Sequence, residues 1–220
     1  MLIINLKAYK ETIGKGALKA LEAAEKVAEE YNVEIAIAPQ PTDIRLLSEN
    51  SKRVKIFAQH IDPIKGGAYT GHILPEAVKD SGAVGTLINH SERQLTLVEI
   101  GELIEICKDL GLISVVCVTN DKLARTIAYL DPDYIAIEPP ELIGTGISVS
   151  KAKPEIIINS VKSIREINNK VKILVGAGIS NGEDVKKAIE LGVNGVLVSS
   201  AITKSKDFYE KIKELINGFF

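Results

Sequence analysis

His90 and Glu138 are the two residues of this chain best placed, by type and context, to move a proton. An imidazole and a carboxylate that share a pocket exchange protons with a bound molecule near neutral pH. His90 lies in Asn89-His90-Ser91-Glu92-Arg93, and Glu138 lies in Ile137-Glu138-Pro139-Pro140-Glu141-Leu142-Ile143-Gly144-Thr145-Gly146. Each segment follows an apolar, β-branched run, so both side chains are expected just past the C-terminal end of a strand. The stretch after Glu138 is punctuated by glycine and proline, and its backbone could close over an anion. Asn5 and Lys7 follow the first apolar run. Alternation points both the same way, which brings an amide and an ammonium to one centre. Gly176-Ala177-Gly178-Ile179-Ser180 and Ser199-Ser200 follow the last two runs. Both are expected at helix starts, where free N–H groups favour a bound anion.

The elements that must hold these residues are regular. Apolar runs begin near Leu2, Val33, Val54, Val84, Leu112, Tyr134, Val171 and Val196. Between most of them lies a helical period, as in Leu18, Leu21, Ala24 and Val27, or Ile157, Val161 and Ile164. The runs are continuous rather than alternating, which requires burial on both faces, as in parallel strands covered by helices. Eight strands in βαβα order fit a closed (β/α)8 barrel, which needs about 200–250 residues. An open doubly wound sheet usually carries a glycine-rich first turn; Asn5-Leu6-Lys7-Ala8-Tyr9 has no glycine. No linker or low-complexity stretch divides the chain, so one barrel domain over residues 1–220 is expected.

Each candidate also has a plainer reading. Asn5 and Lys7 could be a solvated strand edge, His90 a helix start, Glu138 a surface acid, and Ser199-Ser200 no more than an N-cap. Gly176-Ala177-Gly178 misses the dinucleotide fingerprint, because Gly182 comes one residue late. In a barrel, however, every strand's C-terminal end opens on one mouth. All of these positions would fall on that face together, and a site explains this better than coincidence.

Bulk properties exclude several classes. With 27 Lys and Arg against 29 Asp and Glu, the net charge of −2 offers no basic patch for nucleic acid and no acidic tail. No apolar run approaches the roughly 18 residues needed to span a bilayer, and no signal-peptide pattern is read at the N-terminus. A cytoplasmic protein without membrane or nucleic-acid partners is expected. Cys107 and Cys117, the only cysteines, match no zinc or redox spacing and are expected as core packing.

Asn5-Leu6-Lys7, Asn89-His90-Ser91-Glu92-Arg93 and the segment from Glu138 to Gly146 together resemble the triosephosphate isomerase family, in its shorter archaeal branch. The resemblance runs from Asn5 to the turn after the eighth strand. It implies reversible interconversion of dihydroxyacetone phosphate and D-glyceraldehyde 3-phosphate in glycolysis and gluconeogenesis. Glu138 would be the base and His90 the neutral electrophile, the family's well-known case of pKa tuning. Ser91-Glu92-Arg93 would begin a helix that disfavours the charged imidazole. Lys7 would supply positive charge to the enediolate and phosphate, and Asn5 would help hold the substrate oxygens. Residues 139 to 149 would form a lid, with Ile143, Gly144, Gly178, Ser199 and Ser200 as phosphate and lid contacts. The resemblance implies neither metal nor organic cofactor. It also implies a homo-oligomer, with a dimer as the minimum and a tetramer expected, since the loop from His60 to Gly71 would insert beside a neighbouring subunit's site. His60 and His72, at the two ends of that loop, read as structural.

The sequence departs from the wider family in places. Leu6 stands where an aromatic residue is usual, and Pro139-Pro140-Glu141 replaces a tryptophan-bearing hinge. Two other readings compete. One is a Schiff-base aldolase using Lys7, which fits poorly because such a lysine belongs late in the barrel at a desolvated position. The other is a non-catalytic scaffold, which has no need of His90 and Glu138 at one mouth.

Overall fold

Eight parallel strands pair in chain order, and the eighth returns to the first to close a barrel. They are β1 (Leu2–Asn5), β2 (Ile35–Ala38), β3 (Lys55–Ala58), β4 (Gly85–Ile88), β5 (Ile113–Val118), β6 (Tyr134–Ile137), β7 (Lys172–Val175) and β8 (Gly195–Val198). Residues 1–139 and 154–220 are described by the structure, a computed structural model. Every strand begins within two residues of the apolar run that predicted it.

Side chains alternate across each strand and sort into two cores. Ile3, Ala36, Phe57, Leu87, Val115, Tyr134, Leu174 and Leu197 fill the barrel interior. Their neighbours Leu2, Ile4, Ile35, Ile37, Ile135, Ile173 and Val196 pack outward beneath the helices. Both faces are therefore buried, which is why the runs read as unbroken apolar stretches. Inside, small and large residues complement each other. A Cβ at Gly85 would lie 2.8 Å from the Phe57 ring, so the bare backbone of β4 makes room for that ring.

The covering helices include α1 (Lys15–Tyr31), α2 (Ile44–Asn50), α3 (Pro75–Asp80), α4 (Leu97–Leu110) and α5 (Asp121–Ala128). They continue with α6 (Pro154–Arg165), α7 (Gly182–Glu190), α8 (Ser200–Thr203) and α9 (Phe208–Asn217). The long α1 buries Ala17, Ala20, Leu21, Ala24, Val27 and Ala28 on one face, an amphipathic stripe that must cover the sheet. Among the described residues, no helix is long and apolar enough to cross a membrane.

Barrel geometry then dictates where chemistry gathers. Two residues beyond an inward-pointing position, the next side chain points inward again. Asn5 follows Ile3, Cys117 follows Val115, Glu138 follows Ala136, Gly176 follows Leu174 and Ser199 follows Leu197. These residues form the uppermost inward layer, at the C-terminal mouth.

Candidate active site

A pocket at that mouth is lined by Asn5, Lys7, Tyr9, His90, Glu138, Gly176, Ala177, Gly178, Ser199, Ser200 and Lys204. The structure thus gathers seven of the residues singled out from sequence: Asn5, Lys7, His90, Glu138, Gly178, Ser199 and Ser200. Ile143 and Gly144 lie outside the described residues, as does all of the expected lid except Pro139.

Glu138 is buried, with only 2% of its surface exposed. Burial pushes its carboxyl from an ordinary 4.5 up to about 7. The Cys117 thiol, the Lys7 ammonium and the Ser91 backbone N–H favour the ionised form, and the Glu92 carboxylate opposes it. One carboxyl oxygen, Oε2, is buried, and among the described residues no geometric hydrogen bond reaches it. The floor beneath it has to be bare: a Cβ at Gly176 would lie 2.5 Å from Glu138 Cγ and 2.7 Å from Oε1.

His90 Nε2 lies 3.5 Å from Glu138 Oε1, close but too long for a strong hydrogen bond. Its Nδ1 accepts the Glu92 backbone N–H at 3.2 Å. An Nδ1 that accepts carries no proton, so the ring is neutral with its N–H on Nε2, facing the pocket. Burial holds His90 below its usual pKa, and the Lys7 ammonium pushes the same way while Glu92 opposes both.

The sequence expectation for this turn needs correction. Ser91-Glu92-Arg93 do not begin a helix; they form a turn closed by Arg93 N–H donating to the His90 carbonyl at 2.7 Å. Helix α4 begins at Leu97, behind a capping box of Thr96 and Glu99. The neutral imidazole therefore owes its state to burial, to the Lys7 ammonium and to one backbone N–H in a turn rather than to a helix start. Asn89, left-handed at φ 60°, anchors this turn by donating to the Cys117 carbonyl and accepting from Leu95 N–H. Helix α7 likewise starts later than expected, at Gly182 behind an Asn181 cap, so Gly176 to Ser180 form a loop ahead of it. Ser200 does open a helix, but that helix has only four residues.

Lys7 projects into the same pocket and donates to Glu92 Oε1 at 2.7 Å. Its ammonium is therefore engaged by a carboxylate, which argues against the free amine an aldolase-type Schiff base requires. Lys7 sits in the left-handed region, at φ 49°. For a residue with a Cβ this costs about 1–2 kcal/mol. Asn5 is buried and accepts the Lys7 N–H at 2.9 Å.

In the same pocket, Gly178 adopts φ 69°, and the buried Ser199 hydroxyl has no partner among the described residues. An anion with several acceptor oxygens suits that corner.

Sequence reasoning missed four contributors. Glu92, noted only as part of a helix start, pairs with Lys7 and presents its N–H to His90. Cys117 is buried as expected, yet its thiol faces Glu138 and is held well above its usual pKa by burial and by that carboxylate. Its position two residues past Val115 on an inward-facing strand carried that signal. Gln40 and Gln59 both bond to the Lys7 carbonyl. His60 is buried and bonds Asp62 at 2.8 Å, and His72 lies exposed against the Tyr69 ring.

An eight-stranded parallel barrel that gathers a buried carboxyl, an imidazole and an ammonium at one mouth defines a protein of the (β/α)8 class. Comparison with known proteins narrows this. The family model for triosephosphate isomerase matches residues 1–215. Triosephosphate isomerase of Methanocaldococcus jannaschii is 52% identical over 216 residues, covering 98% of both chains. The enzyme of Methanothermus fervidus is 47% identical, over 98% of this chain and 97% of its own, and that of Methanosarcina barkeri is 48% identical, over 98% and 96%. The chain belongs to the triosephosphate isomerase family, and these relatives are archaeal. Its enzyme class is that of an isomerase.

Proposed function

We propose that this chain interconverts dihydroxyacetone phosphate and D-glyceraldehyde 3-phosphate through an enediolate, with Glu138 as base and His90 as electrophile. The Glu138 carboxylate takes the proton from the hydroxyl-bearing carbon beside the carbonyl. The carboxylic acid so formed returns it to the former carbonyl carbon. The Nε2–H of neutral His90 donates to the carbonyl oxygen as negative charge develops there, and the hydroxyl proton passes from the neighbouring oxygen to that one through the same imidazole, so one carbonyl is lost as the other forms. Lys7 supplies positive charge to the enediolate and the phosphate, and Asn5 steadies the substrate oxygens. Gly178, Ser199 and Ser200 hold the phosphate, joined by Ile143 and Gly144. Every step is a proton transfer or a hydrogen bond that these groups supply without a metal or an organic cofactor.

One observation carries this reading. The buried Glu138 carboxyl, pushed up to about 7 by burial, holds Oε1 3.5 Å from Nε2 of a neutral imidazole. Such a carboxyl is basic enough to abstract a carbon-bound proton and is ionised in a useful fraction at neutral pH. In D2O, the wild type should label dihydroxyacetone phosphate with deuterium at the hydroxymethyl carbon, read by proton NMR. Glu138→Gln is expected to slow labelling by about 10²-fold or more. Labelling at the wild-type rate would remove Glu138 from the role.

The reading includes a homo-oligomer, a dimer at least and a tetramer by preference. In support, residues 66–72 of the loop after β3 are all exposed, with Tyr69 at their centre. Leu97 and Val98 form a second exposed apolar spot at the start of α4. The compartment assigned is the cytoplasm, in keeping with two buried and unpaired cysteines.

A further inference from the structure

Among the described residues, four that carry a Cβ are left-handed, and of these Lys7 alone lines the pocket. A left-handed backbone at such a residue persists only where its surroundings impose it. Three side-chain amides do so. Asn5, at the end of β1, accepts the Lys7 N–H at 2.9 Å. Gln40, just beyond β2, donates Nε2–H to the Lys7 carbonyl at 2.5 Å. Gln59, just beyond β3, donates to the same carbonyl at 2.9 Å.

The two glutamines also fix each other. The remaining N–H of Gln59 goes to the Ala38 carbonyl at 2.9 Å, and Gln40 Nε2 approaches Gln59 Oε1 at 3.4 Å. Both donors of each amide are thereby used, and both lone pairs of the Lys7 carbonyl are occupied. Neither glutamine lines the pocket that holds Glu138, Gly178 and Ser199. They stand on the far side of Lys7, in the adjoining cavity with His60 and Arg93.

We infer that Gln40 and Gln59 are positioning residues, which clamp the Lys7 carbonyl, hold its backbone in the left-handed well and so aim its ammonium at the substrate anion. This rests on the proposed role of Lys7. Without the clamp, Lys7 is free to relax toward the extended region, which swings its Cα–Cβ bond and carries the ammonium away from Glu92 and the pocket. Clamping costs nothing at the moment of reaction, since all of its bonds are made before substrate arrives.

The test uses Gln40→Leu, Gln59→Leu and the double variant, since leucine is close to glutamine in size but donates no hydrogen bond. The Ala38 carbonyl keeps its Leu6 N–H partner at 3.0 Å in each, so the lost bonds fall mainly on Lys7. Three quantities are read: kcat and KM for glyceraldehyde 3-phosphate, Ki for inorganic phosphate, and Tm. In the double variant KM and the phosphate Ki are expected to rise together by about tenfold or more, as a misplaced ammonium requires. Tm should fall by only a few degrees. KM and Ki both within about twofold of wild type, whatever happens to Tm, would reduce the glutamines to loop packing. If the double variant fails to fold, Gln40→Leu alone decides by the same criterion, because its side chain is half-exposed. Wild-type turnover in the same assay reports on the functional reading separately. A wild type without turnover would overturn that reading and this one with it, whereas unchanged constants in the variants would overturn the clamp alone.

Discussion

Burial of Glu138 serves catalysis and works against stability, and the two effects share one cause. The carboxyl titrates at about 7 in the folded protein, against 4.5 when unperturbed. Between those values the folded state holds a proton that the unfolded chain has released. Stability from this group therefore falls as pH rises from 4.5 to about 7, and the loss is complete above that. A shift of this size corresponds to about 3 kcal/mol. Glu138→Gln, which cannot ionise, is accordingly expected to unfold at a higher temperature than wild type at pH 8, with the gap closing near pH 5. Calorimetry at the two pH values checks this, and a variant less stable than wild type at pH 8 would show that burial of the charge is not the dominant cost. At this scale the sequence revealed His90 and Glu138, because each follows a strand directly. It did not reveal Glu92, Gln40 or Gln59. Gln40 and Gln59 act on the Lys7 carbonyl, and Glu92 gives its own main-chain N–H to the His90 ring; no residue type announces a bond in which a main chain is one partner.

Elements, more than individual residues, decide whether those side chains meet. Gly176 follows β7 directly with an ordinary backbone, yet a Cβ there would lie 2.5 Å from Glu138 Cγ. Gly176→Ala should leave the fold intact while displacing the base, lowering kcat by about 10²-fold. Steady-state kinetics beside a circular-dichroism melt separates the two, and near-normal kcat would mean that Glu138 tolerates a different seat. The eight strands were legible because burial on both faces leaves unbroken apolar runs. Helix starts were less so. His90-Ser91-Glu92 read as the beginning of a helix, but Thr96-Leu97-Val98-Glu99 carried the stronger capping signal and sets the true start of α4. The difference matters chemically, because the Glu92 N–H that reaches back to His90 Nδ1 belongs to a turn and has no helix dipole behind it.

The whole molecule depends on closure, since an open edge between β1 and β8 would release the register that gathers the site. Gly195 lies at that seam, where a Cβ would come 2.0 Å from the Met1 carbonyl oxygen. Gly195→Ala is expected to cost about 3 kcal/mol in urea unfolding, and a loss under about 0.5 kcal/mol would show that the seam yields freely. Association belongs to this scale too. Sedimentation should give a dimer or a tetramer, and a monomer with full activity would contradict the proposed role of the loop at 60–71. The barrel was readable from the spacing of its strands, but which surfaces meet another copy was not, because exposed residues such as Tyr69, Leu97 and Val98 fit an ordinary surface equally well.

The central claim is that Glu138 is the base and must be ionised and correctly placed. The most direct measurement is kcat/KM for glyceraldehyde 3-phosphate from pH 5 to 9, in wild type and Glu138→Asp. For wild type we expect a decline of about tenfold per pH unit below the Glu138 pKa of about 7. For the shortened carboxylate we expect a loss of about 10²-fold or more at every pH. A wild-type profile flat down to pH 5, or an aspartate variant as fast as wild type, would contradict the account.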